Sequence, residues 1–290
     1  MSLERIEQPP MLPKRKAGSH KGMFGSILII AGSRGMAGAA ALAGAGALRS
    51  GAGLVRVASP SEVQPTVASF EPSFMTYPLP QDDDGLVAFE RSRGLLQTKL
   101  LPGATVLAIG PGLGQSTDVG HLVRWALSSV AIPTILDADA LNVLATFTDA
   151  WTGADRPVVL TPHPGEFARL TGKTVSEVQA DREGLAARYA AERGVIVVLK
   201  GANTVVTDGT KIYVNASGNP GMATGGAGDV LTGVIAALIG QGLPPLEAAA
   251  LGTYAHGVAG DIARDNNGEV GLIAGDIVDA LADAFEHLTR

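Results

Sequence analysis

The chain has 290 residues, of which 46% are hydrophobic, so it can bury a sizeable core in one large domain or two ordinary ones. Its formal net charge of −6 gives no global basic field that would favour nucleic acid or an anionic membrane, so any phosphate site must be local. The absence of cysteine excludes disulfides, thiolate nucleophiles and cysteine-based metal sites.

The N-terminal segment lacks the features of a signal peptide. Prolines interrupt residues 9–13, and Lys14, Arg15 and Lys16 follow them, so no uninterrupted apolar stretch is present. We expect residues 1–18 to form a partly mobile arm, with phosphate or RNA binding by the basic cluster as the alternative. Apolar runs elsewhere are interrupted before they reach membrane-spanning length. We therefore expect a cytoplasmic protein without a membrane or nucleic-acid partner.

Short, continuous apolar runs predict strands that are buried on both faces. Longer stretches with helical spacing lie between them, and this alternation is typical of a parallel α/β sheet. The predicted strands are residues 27–31, 54–58, 106–109, 134–137, 158–161 and 195–199, and the predicted helices are residues 36–49, 119–129, 138–146 and 175–193. The acidic, proline-bearing stretch at 72–85 is predicted to be a surface loop rather than a metal site.

The order of elements changes after residue 199. Segments 204–207 and 211–215 flank the turn dipeptide Asp208-Gly209 and predict a β-hairpin. Three helices are predicted after it, at residues 229–239, 246–264 and 274–288. No long linker or fixed-period repeat divides the chain. We predict one domain over residues 1–290: an α/β fold with a mostly parallel central sheet, flanking helices and a hairpin near the C-terminal third.

A glycine-rich segment precedes the first of these three helices. It ends in Gly225-Gly226-Ala227-Gly228-Asp229, and apolar residues at helical spacing follow. The glycines let backbone N–H groups converge on an anion, and a helix N-terminus favours negative charge. Asp229 stands where a carboxylate can deprotonate a hydroxyl. Phosphoryl transfer needs these features together, so the segment predicts an anion site with an adjacent base.

Two further segments of small residues follow predicted strands, where ligands bind in open α/β sheets. Residues 31–39 open a helix of very small residues, and Gly110-Pro111-Gly112-Leu113-Gly114 precedes another helix. The first is consistent with close backbone approach to a bulky ligand and equally with tight packing of helix on sheet, and the second is a further backbone wall whose signal is weak on its own. The second segment lacks the G-x-G-x-x-G spacing and the chain has no Walker motif, which disfavours dehydrogenase and P-loop functions.

Three polar residues also follow predicted strands. Asp137 either caps the next helix or faces phosphates and binds Mg²⁺, directly or through water. His163 lies between Pro162 and Pro164, which fix its direction, and is either a substrate contact or a structural residue. Glu166 either orients water bound to Mg²⁺ or occupies the first helical turn, where an acidic side chain is favoured.

The segment Lys200-Gly201-Ala202-Asn203-Thr204 follows the last buried strand and enters the hairpin. A lysine at this position can pair with a nucleotide phosphate, or it can simply end an apolar strand with a solvated charge. The hairpin and the glycine-rich segment that follow favour the nucleotide role.

Together these motifs resemble the ADP/ATP-dependent NAD(P)H-hydrate dehydratases, a branch of the ribokinase-like superfamily. The most specific elements are His163-Pro164-Gly165-Glu166 and Gly225-Gly226-Ala227-Gly228-Asp229. The resemblance covers nearly the whole chain and also includes Ser19-His20-Lys21-Gly22, Ala31-Gly32-Ser33, Ile109-Gly110-Pro111-Gly112 and Leu199-Lys200-Gly201.

The resemblance implies a repair reaction. A nucleotide phosphorylates the ring hydroxyl of the S-epimer of hydrated NADH or NADPH, and loss of phosphate restores the cofactor. Mg²⁺ would bridge the nucleotide phosphates, and a bacterial chain would favour ADP over ATP. Asp229 would be the catalytic base. By analogy, the substrate site would comprise Ala39, Ala40, Gly112, Gly114, His163 and Asp229. The nucleotide site would comprise Lys200, Gly201, Ala202, Asn203, Thr204, Gly225, Gly226, Ala227 and Gly228, with Asp137 and Glu166 toward the metal.

The same resemblance suggests a homotetramer that acts beside a separate NAD(P)H-hydrate epimerase, because the chain is too short to include the epimerase domain that many family members carry. Two alternatives remain open at this point. One is a ribokinase-like kinase of a vitamin precursor or sugar, which the glycine-rich segment alone fits equally well. The other is a non-catalytic nucleotide sensor, which would not need the base at Asp229.

Overall fold

A ten-stranded sheet forms the centre of the computed structural model, which describes residues 3–148, 151–153 and 156–289. The strands are β1 (Glu4–Arg5), β2 (Ser26–Ile30), β3 (Leu54–Pro60), β4 (Met75–Leu79), β5 (Val106–Ile109), β6 (Thr134–Leu136), β7 (Val158–Leu160), β8 (Ile196–Leu199), β9 (Thr204–Thr207) and β10 (Lys211–Asn215). Their order is β1-β10-β9-β8-β7-β6-β5-β2-β3-β4. Strands β2 to β8 are parallel, whereas β9 is antiparallel to both of its neighbours. The predicted α/β fold with a hairpin is therefore confirmed.

Helices cover both faces of the sheet. They are α1 (Ala37–Arg49), α2 (Gln64–Phe70), α3 (Phe89–Leu95), α4 (Thr117–Ser129), α5 (Asp139–Leu144), α6 (Pro164–Thr171), α7 (Val175–Ala180), α8 (Arg182–Arg193), α9 (Ala227–Gly240), α10 (Pro245–Asn267) and α11 (Ala274–Glu286). Alternate residues of β2 enter two different cores: Ile27 and Ile29 pack toward α1, α9, α10 and α11, and Leu28 and Ile30 pack toward the other helices. Burial on both faces explains why the strand sequences are apolar without alternation.

Helices α1 and α9 cross with their backbones in close contact. A Cβ atom built on Gly233 would lie 2.0 Å from the carbonyl oxygen of Ala43, and one built on Gly46 would lie 2.5 Å from that of Val230. Only glycine fits at such distances. This crossing fixes α9, whose first turn carries Asp229, against the helix that follows β2.

Two predicted elements differ from the structure. The helix predicted at 175–193 is two helices, because the side chain of Asp181 accepts a hydrogen bond from Gly184 N and starts a new helix. The loop predicted at 72–85 contains the edge strand β4, which tolerates Pro78 because an edge strand has an unpaired side.

The described part of the N-terminal segment, where the sequence predicts a partly mobile arm, contacts the rest of the domain. Glu4 and Arg5 pair with β10, and Leu12 is buried and bridges to Thr289. The Arg15 guanidinium lies 3.8 Å from the ring centre of Phe24. Among the described helices, none has both the length and the apolar character needed to cross a membrane.

Candidate functional site

The loops that follow the parallel strands meet at one edge of the sheet. The amide of Gly32, after β2, donates to the carbonyl of Pro111, after β5, at 2.8 Å. Likewise the amide of Lys200, after β8, donates to the carbonyl of Pro162, after β7, at 2.8 Å. The first turn of α9 closes this edge, so the motifs that the sequence singled out converge on one region.

An ion pair lies at the centre of this region and joins the residues that follow β6 and β8, with β7 between them. Lys200 Nζ donates to Asp137 Oδ1 at 2.7 Å, and Thr232 Oγ1 donates to Asp137 Oδ2 at 2.8 Å. Asp137 and Thr232 are fully buried. Helix α5 begins after Ala138 and has no side-chain cap, so the capping role considered for Asp137 is wrong. Its carboxylate instead fixes the position of the Lys200 ammonium group.

The Lys200 ammonium group lies directly against the first turn of α9. A Cβ atom built on Gly228 would be 3.0 Å from Lys200 Nζ. Burial acts to lower the pKa of Lys200, but the charges of Asp137 and Glu166 outweigh it and raise that pKa above its ordinary value. The ammonium group is therefore a permanent positive charge beside the predicted phosphoryl site.

Asp229 is the third residue of α9 and faces the same cluster. Burial raises the pKa of the Asp229 carboxyl to about 7, and the negative charge of Asp137 adds to this effect while Lys200 opposes it. Among the residues that the structure describes, none donates a hydrogen bond to its carboxylate. The geometry thus leaves Asp229 available to a ligand, with a pKa suited to general-base work at neutral pH.

The turn that precedes Asp229 has the conformation expected of an anion site. Gly226 is the N-cap of α9 with a left-handed φ of 92°. The φ angle favours glycine, and a Cβ atom there would also lie 2.5 Å from Leu42 Cδ1, which would have to move. Gly225 is exposed, and the turn lies at the positive end of the helix dipole, where helix N–H groups lack intrahelical acceptors.

His256 supports the same turn from α10, and the sequence analysis did not identify it. It is buried, and burial lowers the pKa of its imidazole to about 4, so the ring is neutral. Its Nε2 lies 2.9 Å from the carbonyl oxygen of Ala227, to which it donates. The sequence feature that could have identified it is a single histidine in a helix made mostly of small and apolar residues. Thr232 was also missed, although it lies one helical turn after Asp229 and on the same face.

His163 and Glu166 form a capping box at the start of α6. His163 Nδ1 accepts hydrogen bonds from the amides of Gly165 and Glu166, and Glu166 Oε2 accepts one from His163 N at 2.8 Å. Burial, followed by the charge of Lys200, lowers the pKa of His163, so the neutral ring can act as this acceptor. The structural role is thus present, while half of the His163 side chain stays exposed and open to a ligand.

Asp137 and Glu166, the two residues predicted to face a metal, are both hydrogen bonded within the protein. Both oxygens of Asp137 are taken by Lys200 and Thr232, and Glu166 Oε2 is taken by the His163 amide. Within the described ranges there is no group of three histidine, aspartate or glutamate side chains that could hold a metal ion. Burial raises the pKa of Glu166. Three of the four carboxylate oxygens of these two residues thus already accept hydrogen bonds from the protein.

The small residues predicted for the substrate site serve largely in packing. A Cβ atom on Gly112 would be 2.9 Å from that of Ala39, and Ala40 is fully buried against Gly32. Gly114 donates its amide to Asp139 Oδ2 at 2.8 Å. The side chain of Ala40 therefore faces the core rather than a ligand, because α1 packs directly on the loops after β2 and β5.

The predicted nucleotide loop is accessible. Gly201, Ala202 and Asn203 are exposed, and Thr204 Oγ1 donates to the carbonyl of Gly201 at 2.8 Å. Asn203 has a left-handed φ of 54° and Gly201 a φ of 130°. The amides of these three exposed residues donate to no acceptor in the described part of the chain, so they are available to a ligand.

The chain is similar to proteins of one family. A family model described as NAD(P)H-hydrate dehydratase matches residues 27–283. The bifunctional NAD(P)H-hydrate repair enzyme of Moorella thermoacetica is 48% identical over 279 residues, which are 96% of this chain and 52% of that protein. The chain thus spans about half the length of several curated relatives that it matches.

Two further matches extend over nearly the full length of both proteins. The ADP-dependent (S)-NAD(P)H-hydrate dehydratase of Neisseria meningitidis is 39% identical and covers 97% of this chain and 92% of that protein. The structure of the ADP/ATP-dependent NAD(P)H-hydrate dehydratase of Bacillus subtilis, co-crystallised with ATP and Mg²⁺, matches with a TM-score of 0.84 at 33% identity, over 98% of this chain and all of that one. The family model, the relatives and the fold agree, and the chain belongs to the NAD(P)H-hydrate dehydratase family.

Proposed function

We propose that this chain dehydrates the S-epimer of hydrated NADH or NADPH, with ADP or ATP as the phosphoryl donor. The observation that carries the proposal is the Asp229 carboxylate in the first turn of α9, which accepts no hydrogen bond from any described residue, with the Lys200 ammonium group against the same turn. Family membership supplies the acceptor, since the site geometry alone fits phosphoryl transfer to many hydroxyls.

The first step is phosphorylation of the ring hydroxyl. The hydroxyl oxygen forms a bond to the terminal phosphorus of the nucleotide, the bond from that phosphorus to its bridging oxygen breaks, and the hydroxyl proton passes to Asp229. A base with a pKa of about 7 is ionised in a substantial fraction of molecules at neutral pH and still accepts a proton readily.

The transferring phosphoryl group carries negative charge that the protein can stabilise. The amides of Gly226, Ala227 and Gly228 open at the positive end of α9, and Lys200 Nζ lies against the same turn. Asp137 and Thr232 hold the ammonium group in place before the substrate binds. This preorganisation is the usual source of rate enhancement in phosphoryl transfer.

In the second step the ring carbon–oxygen bond breaks with phosphate as the leaving group. A proton leaves the neighbouring ring carbon, and the ring double bond is restored. Phosphorylation therefore converts a poor leaving group, hydroxide, into a good one. The exposed part of His163 is our candidate contact for the hydrated ring, together with the backbone around Ala39, Gly112 and Gly114.

Mg²⁺ is part of the proposal because the B. subtilis structure was obtained with ATP and Mg²⁺. When bound with the nucleotide, the ion neutralises phosphate charge. Glu166 and Asp137 are our candidates for contacting it through water, since three of their four oxygens already accept hydrogen bonds. The loop from Lys200 to Thr204 would hold the nucleotide, as its exposed amides suggest.

The direct test supplies chemically hydrated NADH with Mg²⁺ and either ADP or ATP, and follows the recovery of dihydronicotinamide absorbance. We expect recovery with one phosphate released per cofactor restored, and none in a reaction without nucleotide. Failure with both nucleotides, together with phosphorylation of another alcohol, would support the kinase alternative. Nucleotide binding without any turnover would support a sensor.

We also propose that the chain acts as a homotetramer in the cytoplasm, in functional connection with an NAD(P)H-hydrate epimerase. The bifunctional repair enzymes are about twice as long as this chain, which supports a functional link to a second activity. Light scattering of the purified protein tests the tetramer, and added epimerase should allow full recovery from a mixture of hydrate epimers.

A further inference from the structure

Arg182, the first residue of α8, is outside every role assigned above, yet its guanidinium group lies beneath the loop from Lys200 to Thr204. Arg182 Nη2 lies 2.8 Å from the carbonyl oxygen of Leu199, 3.2 Å from that of Lys200 and 3.5 Å from that of Asn203. The three carbonyls come from both ends of the loop. One guanidinium nitrogen therefore contacts both the beginning and the end of the loop and links them to α8.

The geometry points to Arg182 as a positioning residue for the nucleotide: it holds this loop in the conformation that presents its amides to a bound nucleotide. This inference rests on the proposed nucleotide role of the loop. Arg182 acts through the backbone of the loop and is not proposed to contact the reacting atoms.

The orientation of the carbonyls determines the orientation of the amides. In a trans peptide the C=O and N–H groups point in opposite directions, so a Lys200 carbonyl directed at Arg182 turns the Gly201 amide away from it. The amides of Gly201, Ala202 and Asn203 have no acceptor among the described residues, and all three residues are exposed. Arg182 thus turns the Gly201 amide outward and holds both ends of the loop, while the amides of Ala202 and Asn203 between them stay available to phosphate or base acceptors.

The remaining contacts of Arg182 show that it is not held by an ordinary ion pair. Within the described part of the chain no carboxylate lies within ion-pair distance of it, and its other hydrogen bond goes from Nη1 to Gln179 Oε1 at 3.1 Å. Its Nε is buried without a partner, and burial lowers the pKa of Arg182. A guanidinium group stays charged under these conditions. The carbonyl oxygens of the loop therefore supply most of the hydrogen bonds to a cation that has lost part of its hydration.

An arginine is better suited to this role than a lysine. Its planar group places two terminal nitrogens in fixed directions, one toward Gln179 and one toward the loop. A lysine could reach one carbonyl but would not hold the two ends of the loop in a fixed relation. Replacing Arg182 with lysine keeps the positive charge but removes the planar group, whereas methionine removes both. The two substitutions therefore separate the effect of charge from that of the guanidinium geometry.

The test uses the variants R182M and R182K, with R188M as a matched control. Arg188 lies on the same helix and makes an exposed ion pair with Asp181, away from the loop. Calorimetry measures binding of Mg-ADP and Mg-ATP in the absence of hydrate, and steady-state kinetics measure kcat and both KM values. Chemical unfolding establishes that each variant is folded.

We expect R182M to weaken nucleotide binding by about 10- to 100-fold, because a misplaced loop loses several oriented contacts at once. At saturating nucleotide, kcat and the KM for hydrate should stay within about threefold of wild type. R182K should fall between R182M and wild type, and R188M should match wild type.

A folded R182M with wild-type nucleotide affinity would overturn the inference, and so would equal losses in kcat and in affinity for both substrates. If R182M does not fold, R182K decides, and wild-type affinity in R182K would overturn the need for a forked donor. If the wild-type protein binds nucleotide but restores no cofactor, the proposed dehydratase function fails, while the affinities still test Arg182. If the wild-type protein binds no nucleotide, both proposals fail.

Discussion

Position 229 places a carboxylate where burial and neighbouring charge disfavour its ionised form. The effect of burial is the largest, and Asp137, Asp139 and Glu166 add to it, while the Lys200 ammonium group acts in the opposite direction. The pKa of about 7 that results is about three pH units above the ordinary value of 3.8. The same feature that suits Asp229 to its proposed role as a base at neutral pH should therefore reduce the stability of the folded protein.

Asp229→Asn should remove the base and stabilise the fold. We expect turnover to fall by roughly 10²–10⁴-fold, as for loss of a general base. The folded carboxyl has the higher pKa, so between about pH 4 and pH 7 the folded state binds more protons than the unfolded state and stability falls as the pH rises. At pH 8 the amide should raise the free energy of unfolding by on the order of 1–3 kcal/mol, with little gain at pH 4. Urea unfolding at both pH values checks this, and equal stability at pH 8 would contradict it.

The pH dependence of kcat/KM should reflect the same group. Because Asp229 must be ionised to accept the hydroxyl proton, activity should rise with pH through an acidic limb with an apparent pKa of about 7. The titration of Asp229 is coupled to that of neighbouring carboxylates. The apparent pKa of this acidic limb therefore describes the cluster rather than Asp229 alone. Rates measured from pH 5 to 9 test the prediction. A limb below pH 5 would mean that Asp229 is fully ionised at neutral pH and is less strongly desolvated than its position indicates.

Gly228→Ala tests whether the exact place of the Lys200 ammonium group matters. The added methyl group would lie 3.0 Å from Lys200 Nζ, which Asp137 holds from the other side. We expect activity to fall by about tenfold, while alanine in a helix leaves stability unchanged or raises it by about 0.5–1 kcal/mol. Gly94→Ala is the control, because Gly94 also lies in a helix, α3, and its Cβ atom would meet open space. Unchanged kinetics in Gly228→Ala would show that the ammonium group tolerates displacement.

At the level of elements, the position of the site depends on the close crossing of α1 and α9. Gly233→Ala places a methyl group 2.0 Å from the Ala43 carbonyl oxygen, and backbone cannot move aside as a flexible side chain can. We expect the free energy of unfolding to fall by about 2–4 kcal/mol, at the upper end for overpacking. Gly120→Ala in α4, whose new methyl group would make an ordinary 3.4 Å contact with Val143, is the control. Equal stability of the two variants would show that the helices can separate at little cost.

Strands that are buried on both faces are predictable from sequence. Elements whose type or ends depend on their position in the sheet or on a single capping residue are less predictable. The central strands, such as β5, match their predicted ranges closely because continuous apolar runs directly reflect burial on two faces. Strand β4 was predicted as loop because it lies at the edge, where polar residues and Pro78 are tolerated. The break between α7 and α8 depends on the single capping residue Asp181, which a search for helical periodicity passes over.

On the scale of the whole molecule, strand order brings distant residues together. The location of the site at the carboxyl ends of the parallel strands follows from sequence and a general rule for α/β sheets. The pairing of Lys200 with Asp137 does not, because it requires β8 and β6 to lie on either side of β7. Asp137 was therefore assigned to a cap or a metal, while its actual partner was assigned to the nucleotide.

The continuous sheet also predicts how the protein unfolds when nucleotide is bound. Both cores pack against the same ten strands, so neither layer has a sheet of its own, and the described chain should unfold in a single transition. Nucleotide that binds only the folded state adds about 2.7 kcal/mol at a concentration 100 times its Kd, which should raise Tm by about 5 °C for a chain of this size. Scanning calorimetry with increasing Mg-ADP or Mg-ATP measures both effects. Two separable transitions would mean that the hairpin and C-terminal helices form a cooperative unit distinct from the parallel strands. A Tm that does not depend on nucleotide would remove the basis for placing the nucleotide at the first turn of α9.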